Sequence, residues 1–188
     1  WPVPSAPLDL PTRYGVTHLN AAGAADLPPV ILLHGFAVSS TQWYANVAPL
    51  SRHFRVYALD VVNQLGLSVC TRPLTTRADC AAWLGEVLAG LGLERATLMG
   101  HSYGGWLALN LALAAPARVA RLVLLSPASA FGPITGRFLA AFLSAVFVPN
   151  FFDTYRIPAA SSGSATGSGA GRLADGDGLL SALTAVPS

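Results

Sequence analysis

The sequence predicts an α/β protein with a mostly parallel sheet covered by helices on both faces. Three observations predict it. Strand-like and helix-like segments alternate along the first two thirds of the chain. Residues 30–33 (Val-Ile-Leu-Leu) form an apolar run without alternation, the pattern of a strand buried on both faces. Three polar residues, His34, Asp60 and Ser102, fall at or just past the ends of predicted strands. In open sheets of this kind, ligands bind beyond the C-terminal ends of the strands.

Each element has its own signal. Residues 14–20 alternate and predict an early antiparallel edge strand, followed by a turn over 21–29. Residues 41–50 predict a helix with Trp43, Tyr44, Val47 and Leu50 on one face, and residues 54–59 predict the next strand. Thr76-Arg77-Ala78-Asp79 resembles a capping box with Asp in the third position. It opens a helix to about residue 91, stopped by Gly90 and Gly92. Residues 96–99 predict a strand, residues 102–115 a helix ended by Pro116, and residues 119–125 a further strand.

Between that strand and helix stands Gly100-His101-Ser102-Tyr103-Gly104, a G-x-S-x-G elbow. The elbow presents a serine at the top of a sheet, so Ser102 is the candidate nucleophile. Gly100 and Gly104 keep the tight turn free of side chains. The N–H of Tyr103, at a helix N-terminus, is one candidate oxyanion donor. His34-Gly35-Phe36 ends the buried strand, and the N–H of Phe36 is the second candidate donor. Gly35 permits close backbone approach. His34 and His101 are expected to shape the site rather than act as the base. Adjacent residues at a strand end point to opposite sides, which turns His101 away from the Ser102 hydroxyl. Asp60 is expected to organise a loop.

Taken in order, His34-Gly35-Phe36, the stretch from Asp60 to Ser68 and the stretch from Gly100 to Gly105 resemble the alpha/beta-hydrolase family, in its lipase- and carboxylesterase-like branch. The middle stretch departs from the commoner D-x-x-G-x-G-x-S pattern, being one residue longer and short of a glycine. Residues 75–127, including "SYGGWLALNLA" and "LVLLSPAS", look like the same branch. The resemblance implies a serine hydrolase acting on a small-molecule carboxylic ester or related acyl substrate, without a cofactor. It also implies a triad in the chain order Ser, acid, His. All four histidines (His18, His34, His53, His101) precede Ser102. Of the acids that follow it, Asp153 falls in the expected lid and Asp175 and Asp177 in the tail, and none is expected to be the triad acid. The expectation is therefore a C-terminally truncated hydrolase, inactive as it stands. The alternative is a non-catalytic binding protein on the same scaffold.

The organisation expected is a core over residues 1–130, the start of a lid over 131–158 and a low-complexity tail over 159–188. The lid segment is Phe-rich; its apolar run 138–148 is too short to span a bilayer. It predicts a lid helix in preference to a membrane-surface helix, and no membrane contact is expected. In the tail, 19 of 30 residues are Gly, Ser or Ala and none is aromatic, so disorder is expected. The composition shift near Pro158 is what GC-rich coding sequence gives out of frame. All 11 basic residues are Arg, they are scattered, and the net charge is only +2, which gives no nucleic-acid footprint. Cys70 and Cys80 predict two free thiols, and no metal-ligand spacing occurs. The Pro-rich start lacks the basic region of a signal peptide, and a cytoplasmic location is the expectation. The sequence carries no signal for oligomeric state.

Overall fold

The structure, a computed structural model, describes residues 1–127 and Gly136. Apart from Gly136, the expected lid and tail lie outside the described residues, as do Asp153, Asp175 and Asp177. Seven strands form one sheet in the order β1-β2-β4-β3-β6-β7, with the short β5 (Val69–Cys70) paired to β2. Strands β1 (Ser5–Thr12) and β2 (Gly15–Ala22) are an antiparallel hairpin, and β2 runs antiparallel to β4 (Arg55–Leu59). From β4 through β3 (Pro29–Leu33) and β6 (Ala96–His101) to β7 (Val119–Leu125) all pairings are parallel.

Helix α1 (Tyr44–Leu50) covers one face; α2 (Arg77–Gly90) and α3 (Tyr103–Ala114) cover the other. Strand β3 shows how one strand serves both layers. Val30 and Leu32 pack with Val47 and Leu50 of α1, whereas Ile31 and Leu33 pack with Trp83, Leu84 and Leu107 of α2 and α3. All four are fully buried, as the unbroken apolar run requires. Trp83 is the largest residue of the second layer, and its indole N–H donates to Thr17 Oγ1 at 2.9 Å. The capping box forms: Asp79 N–H donates to Thr76 Oγ1 at 3.0 Å, and Thr76 N–H donates to Asp79 Oδ2 at 3.0 Å. With Thr76 Oγ1–H donating to the same oxygen, the Asp79 carboxyl is held down at about 2. Cys70 and Cys80 are free thiols.

Three expectations are corrected. Strand β2 is not the sheet edge. The edge is β1, whose Pro7 and Pro11 hid it; an edge strand tolerates residues that lack an N–H. Residues 40–43 form a 3-10 turn before α1 instead of part of one helix. Tyr44 is 57% exposed and leaves the apolar face, because the change from 3-10 to α geometry shifts the helical phase.

Candidate functional site

The candidate site lies at the C-terminal ends of β3, β4 and β6. Strand β6 ends at His101, and Ser102 turns the chain into α3 with φ 49° and ψ −113°. L-residues rarely adopt such a backbone; it costs on the order of 1–3 kcal/mol and persists only where surroundings enforce it. Here Ser102 N–H donates to Leu125 O at 2.9 Å, and Trp106 N–H donates to Ser102 O at 3.1 Å. The glycines do the rest. A Cβ on Gly100 would lie 2.3 Å from Gly104 O, and one on Gly104 would lie 2.1 Å from Leu33 O. Any side chain at either position would force the elbow open. Tyr103 opens α3, so its N–H belongs to the first turn, whose donors have no intrahelical acceptor. Its ring stacks on Trp106 with centroids 5.7 Å apart, and burial raises its phenol to about 12.

The loop after β3 lies against this elbow. Gly104 packs on the carbonyls of Leu33 and His34, and a Cβ on Gly35 would stand 3.0 Å from Nδ1 of His101. Gly35 is therefore a close-approach glycine between the His101 ring and Gln42. Phe36 is about half-exposed beside it. His34 is fully buried and bonded at both nitrogens. Nδ1–H donates to Gly35 O at 2.7 Å, while Nε2 accepts Val61 N–H at 2.9 Å. This arrangement requires the neutral ring, and burial lowers its pKa accordingly. His34 therefore ties the loop after β3 to the loop after β4.

Asp60 organises that second loop. Its carboxylate accepts Ser40 N–H at 2.8 Å and Leu67 N–H at 2.7 Å, and its carbonyl accepts Ser68 Oγ–H at 2.6 Å. Gly66, at φ +133°, lets the loop close over the carboxylate.

The structure thus brings His34, Gly35, Phe36, Gly100, His101, Ser102, Tyr103 and Gly104 together. Among the described residues His101 Nδ1 is buried without a hydrogen-bond partner, and burial lowers the pKa of the ring. Among the described residues, neither a histidine nor a carboxylate hydrogen-bonds the Ser102 hydroxyl. His18 pairs instead with Asp9 at 2.7 Å. No group of three or more His, Cys, Asp or Glu among the described residues is placed to hold a metal ion. No helix among them is long and apolar enough to cross a membrane.

Sequence reasoning passed over two side chains. Gln42 Oε1 accepts Gly35 N–H at 2.9 Å, and Gln64 Oε1 accepts Ala37 N–H at 3.1 Å. A glutamine carries no local signature for such a contact. The one hint was that Gln64 falls in the stretch that departs from the commoner loop pattern.

Known proteins share the sequence and fold of this chain. The chain is 46% identical over 131 residues to carboxylesterase YbfK of Bacillus subtilis, a match covering 70% of this chain and 44% of the relative. It is 41% identical over 133 residues to a second B. subtilis protein, the uncharacterized carboxylesterase nap, covering 71% and 44%. The crystal structure of naproxen esterase from B. subtilis superposes with a TM-score of 0.74 at 40% identity, over 77% of this chain and 50% of that one. The chain spans about half the length of the curated relatives it matches. A family model described as the alpha/beta hydrolase fold matches residues 28–169, which takes in β3, the elbow and the strand after it. With its elbow, its loop after β3 and its strand order accounted for, the chain belongs to the alpha/beta hydrolase family.

Proposed function

We propose that this chain carries the nucleophile and oxyanion hole of a serine esterase acting on small-molecule carboxylic esters. The observation that carries the reading is the left-handed backbone of Ser102 between β6 and α3, enforced by Gly100 and Gly104. In this reading Ser102 Oγ attacks the ester carbonyl carbon. The carbonyl oxygen takes up negative charge and is held by the N–H groups of Phe36 and Tyr103 at the start of α3. The alkoxide then leaves, and water releases the acid from the acyl-serine. The carboxylesterase relatives support the substrate class.

Activation of Ser102 needs a base. His34 is committed at both nitrogens, and His101 packs over Gly35. As this polypeptide, the chain is expected to retain only what an oxyanion hole and binding supply without a full triad, about 10³–10⁴ over water. A second reading, a non-catalytic binding protein on the hydrolase scaffold, draws on one observation: among the described residues His34 is committed at both nitrogens and neither a histidine nor a carboxylate hydrogen-bonds the Ser102 hydroxyl.

A fluorophosphonate probe separates the two. The chain, a form extended by the C-terminal half of a relative and the Ser102→Ala variant of each are incubated with the probe. Labelling of the extended form that is lost in the variant is the expected result. Absence of Ser102-dependent labelling in both forms sinks the esterase reading in favour of the binding protein.

A further inference from the structure

We infer that Gln42 and Gln64 are positioning residues that clamp the backbone on either side of Phe36 and so aim its N–H at the oxyanion. The inference rests on the esterase reading for its purpose, and on three hydrogen bonds for its geometry.

Three consecutive peptide units run from His34 to Ala37, and each is held by a different side chain. The first, His34–Gly35, is held where Gly35 N–H donates to Gln42 Oε1 at 2.9 Å. The second, Gly35–Phe36, is held where its carbonyl accepts His34 Nδ1–H at 2.7 Å. The third, Phe36–Ala37, is held where Ala37 N–H donates to Gln64 Oε1 at 3.1 Å. A peptide unit is planar and trans, so its N–H points opposite to its C=O. Fixing Gly35 O therefore sets the line of Phe36 N–H, but one bond leaves the plane free to swing about that contact. The dihedrals on either side decide the swing, and those belong to the units that Gln42 and Gln64 hold.

Both glutamines stand on anchored backbone. Gln42 lies in the 3-10 turn Ser40–Trp43, capped by Ser39 and tied to Asp60 through Ser40 N–H. Gln64 N–H donates to Val61 O at 3.1 Å, and Val61 N–H is held by His34. The clamp thus closes a ring from the loop after β3 to the loop after β4 and back. Ala37 shows that the ring exerts force: its φ is 57°, the left-handed region that a residue with a Cβ avoids. Without the Gln64 acceptor Ala37 has less reason to stay there, and Phe36 N–H turns with it. A small misplacement of a catalytic group is enough to cost orders of magnitude in rate.

The test compares Gln42→Met and Gln64→Met, which keep the side-chain length but lose the acceptor, with Gln42→Glu and Gln64→Glu, which keep an acceptor oxygen. The rate of Ser102 phosphonylation by the fluorophosphonate is measured on the full chain. Each Met variant is expected to slow by about tenfold or more, with circular dichroism unchanged, and each Glu variant to recover to within about threefold of the parent. Met variants that label at the parent rate overturn the inference, as do Glu variants that are slowed as much as Met. If the parent labels only in its extended form, the variants are compared in that form; if neither form labels, the esterase reading has failed and the clamp is judged alone. The readout is then the ¹H–¹⁵N resonance of Phe36 and the exchange rates of the Gly35 and Ala37 amides. Movement in the Met but not the Glu variants sustains the clamp; an unmoved Phe36 resonance overturns it.

Discussion

Strands β3 and β6 run through the middle of the sheet, buried along nearly their whole length, their side chains dividing between the two helical layers. Just past the C-terminal ends of the parallel strands the chemistry changes. Among the described residues, all four non-glycine residues with positive φ stand there: Ala37 after β3, Asn63 after β4, Ser102 after β6 and Ser126 after β7. Buried polar side chains also gather there, in His34 and Asp60, each satisfied by backbone groups of a neighbouring loop. The middle of the sheet is selected for the volume it fills. The edge is selected for shape, and it holds backbone conformations that only a rigid middle can enforce. Strain of this kind concentrates where a protein must present a group in a geometry that a relaxed chain would not adopt.

Substitutions can set the two regions against each other. The largest effect is expected in the middle. Trp83→Ala should lower the free energy of unfolding by about 3–5 kcal/mol, since it empties a fully buried site and leaves the Thr17 hydroxyl without its donor. Urea unfolding measures this, and Ser102 labelling per folded molecule should be unchanged. Next comes Gly104→Ala at the edge. Its Cβ would meet Leu33 O and His34 O, both backbone atoms that cannot swing aside. A loss of about 3 kcal/mol is expected, together with a fall in labelling out of proportion to the fraction unfolded. If labelling survives intact, the edge is less constrained than the geometry implies.

Acid should weaken the edge selectively. Burial lowers the pKa of both His34 and His101 from the ordinary 6.5, so the unfolded chain binds protons that the folded chain refuses. Stability then falls as pH drops below about 6.5 and stops falling below the folded pKa of each ring. Denaturation midpoints from pH 8 to 5 test this, and replacing His34 or His101 should flatten the slope. The smallest effect carries the opposite sign. Ser102→Gly should raise stability by about 1 kcal/mol by relieving the left-handed backbone, while abolishing labelling. A destabilised Ser102→Gly would mean that Ser102 is not strained.

The sequence made much of this legible where a local pattern carries its own physics. The apolar run at 30–33, the capping box at Thr76 and the glycine spacing around Ser102 each act over a few residues, and each forms in the structure. His34 ties two loops together through hydrogen bonds at both ring nitrogens. Strand β1 was not legible, because proline masks a strand unless its place at the sheet edge is known. Tyr44 was misplaced because a 3-10 turn changes the helical phase without leaving a mark in composition.

By itself, then, the amino-acid order determined most of the elements, the burial of β3 on both faces and the place of the elbow serine. Periodicity, caps and steric freedom at glycine are short-range properties of the chain. Only the tertiary structure decided which loops meet. Gln42 and Gln64 reach one tripeptide because parallel pairing of β3 with β4 and β6 brings three loop ends to one edge. A contact across 27 residues, such as Gln64 with Ala37, leaves no trace in local sequence, since the bond exists only after the strands have set its register.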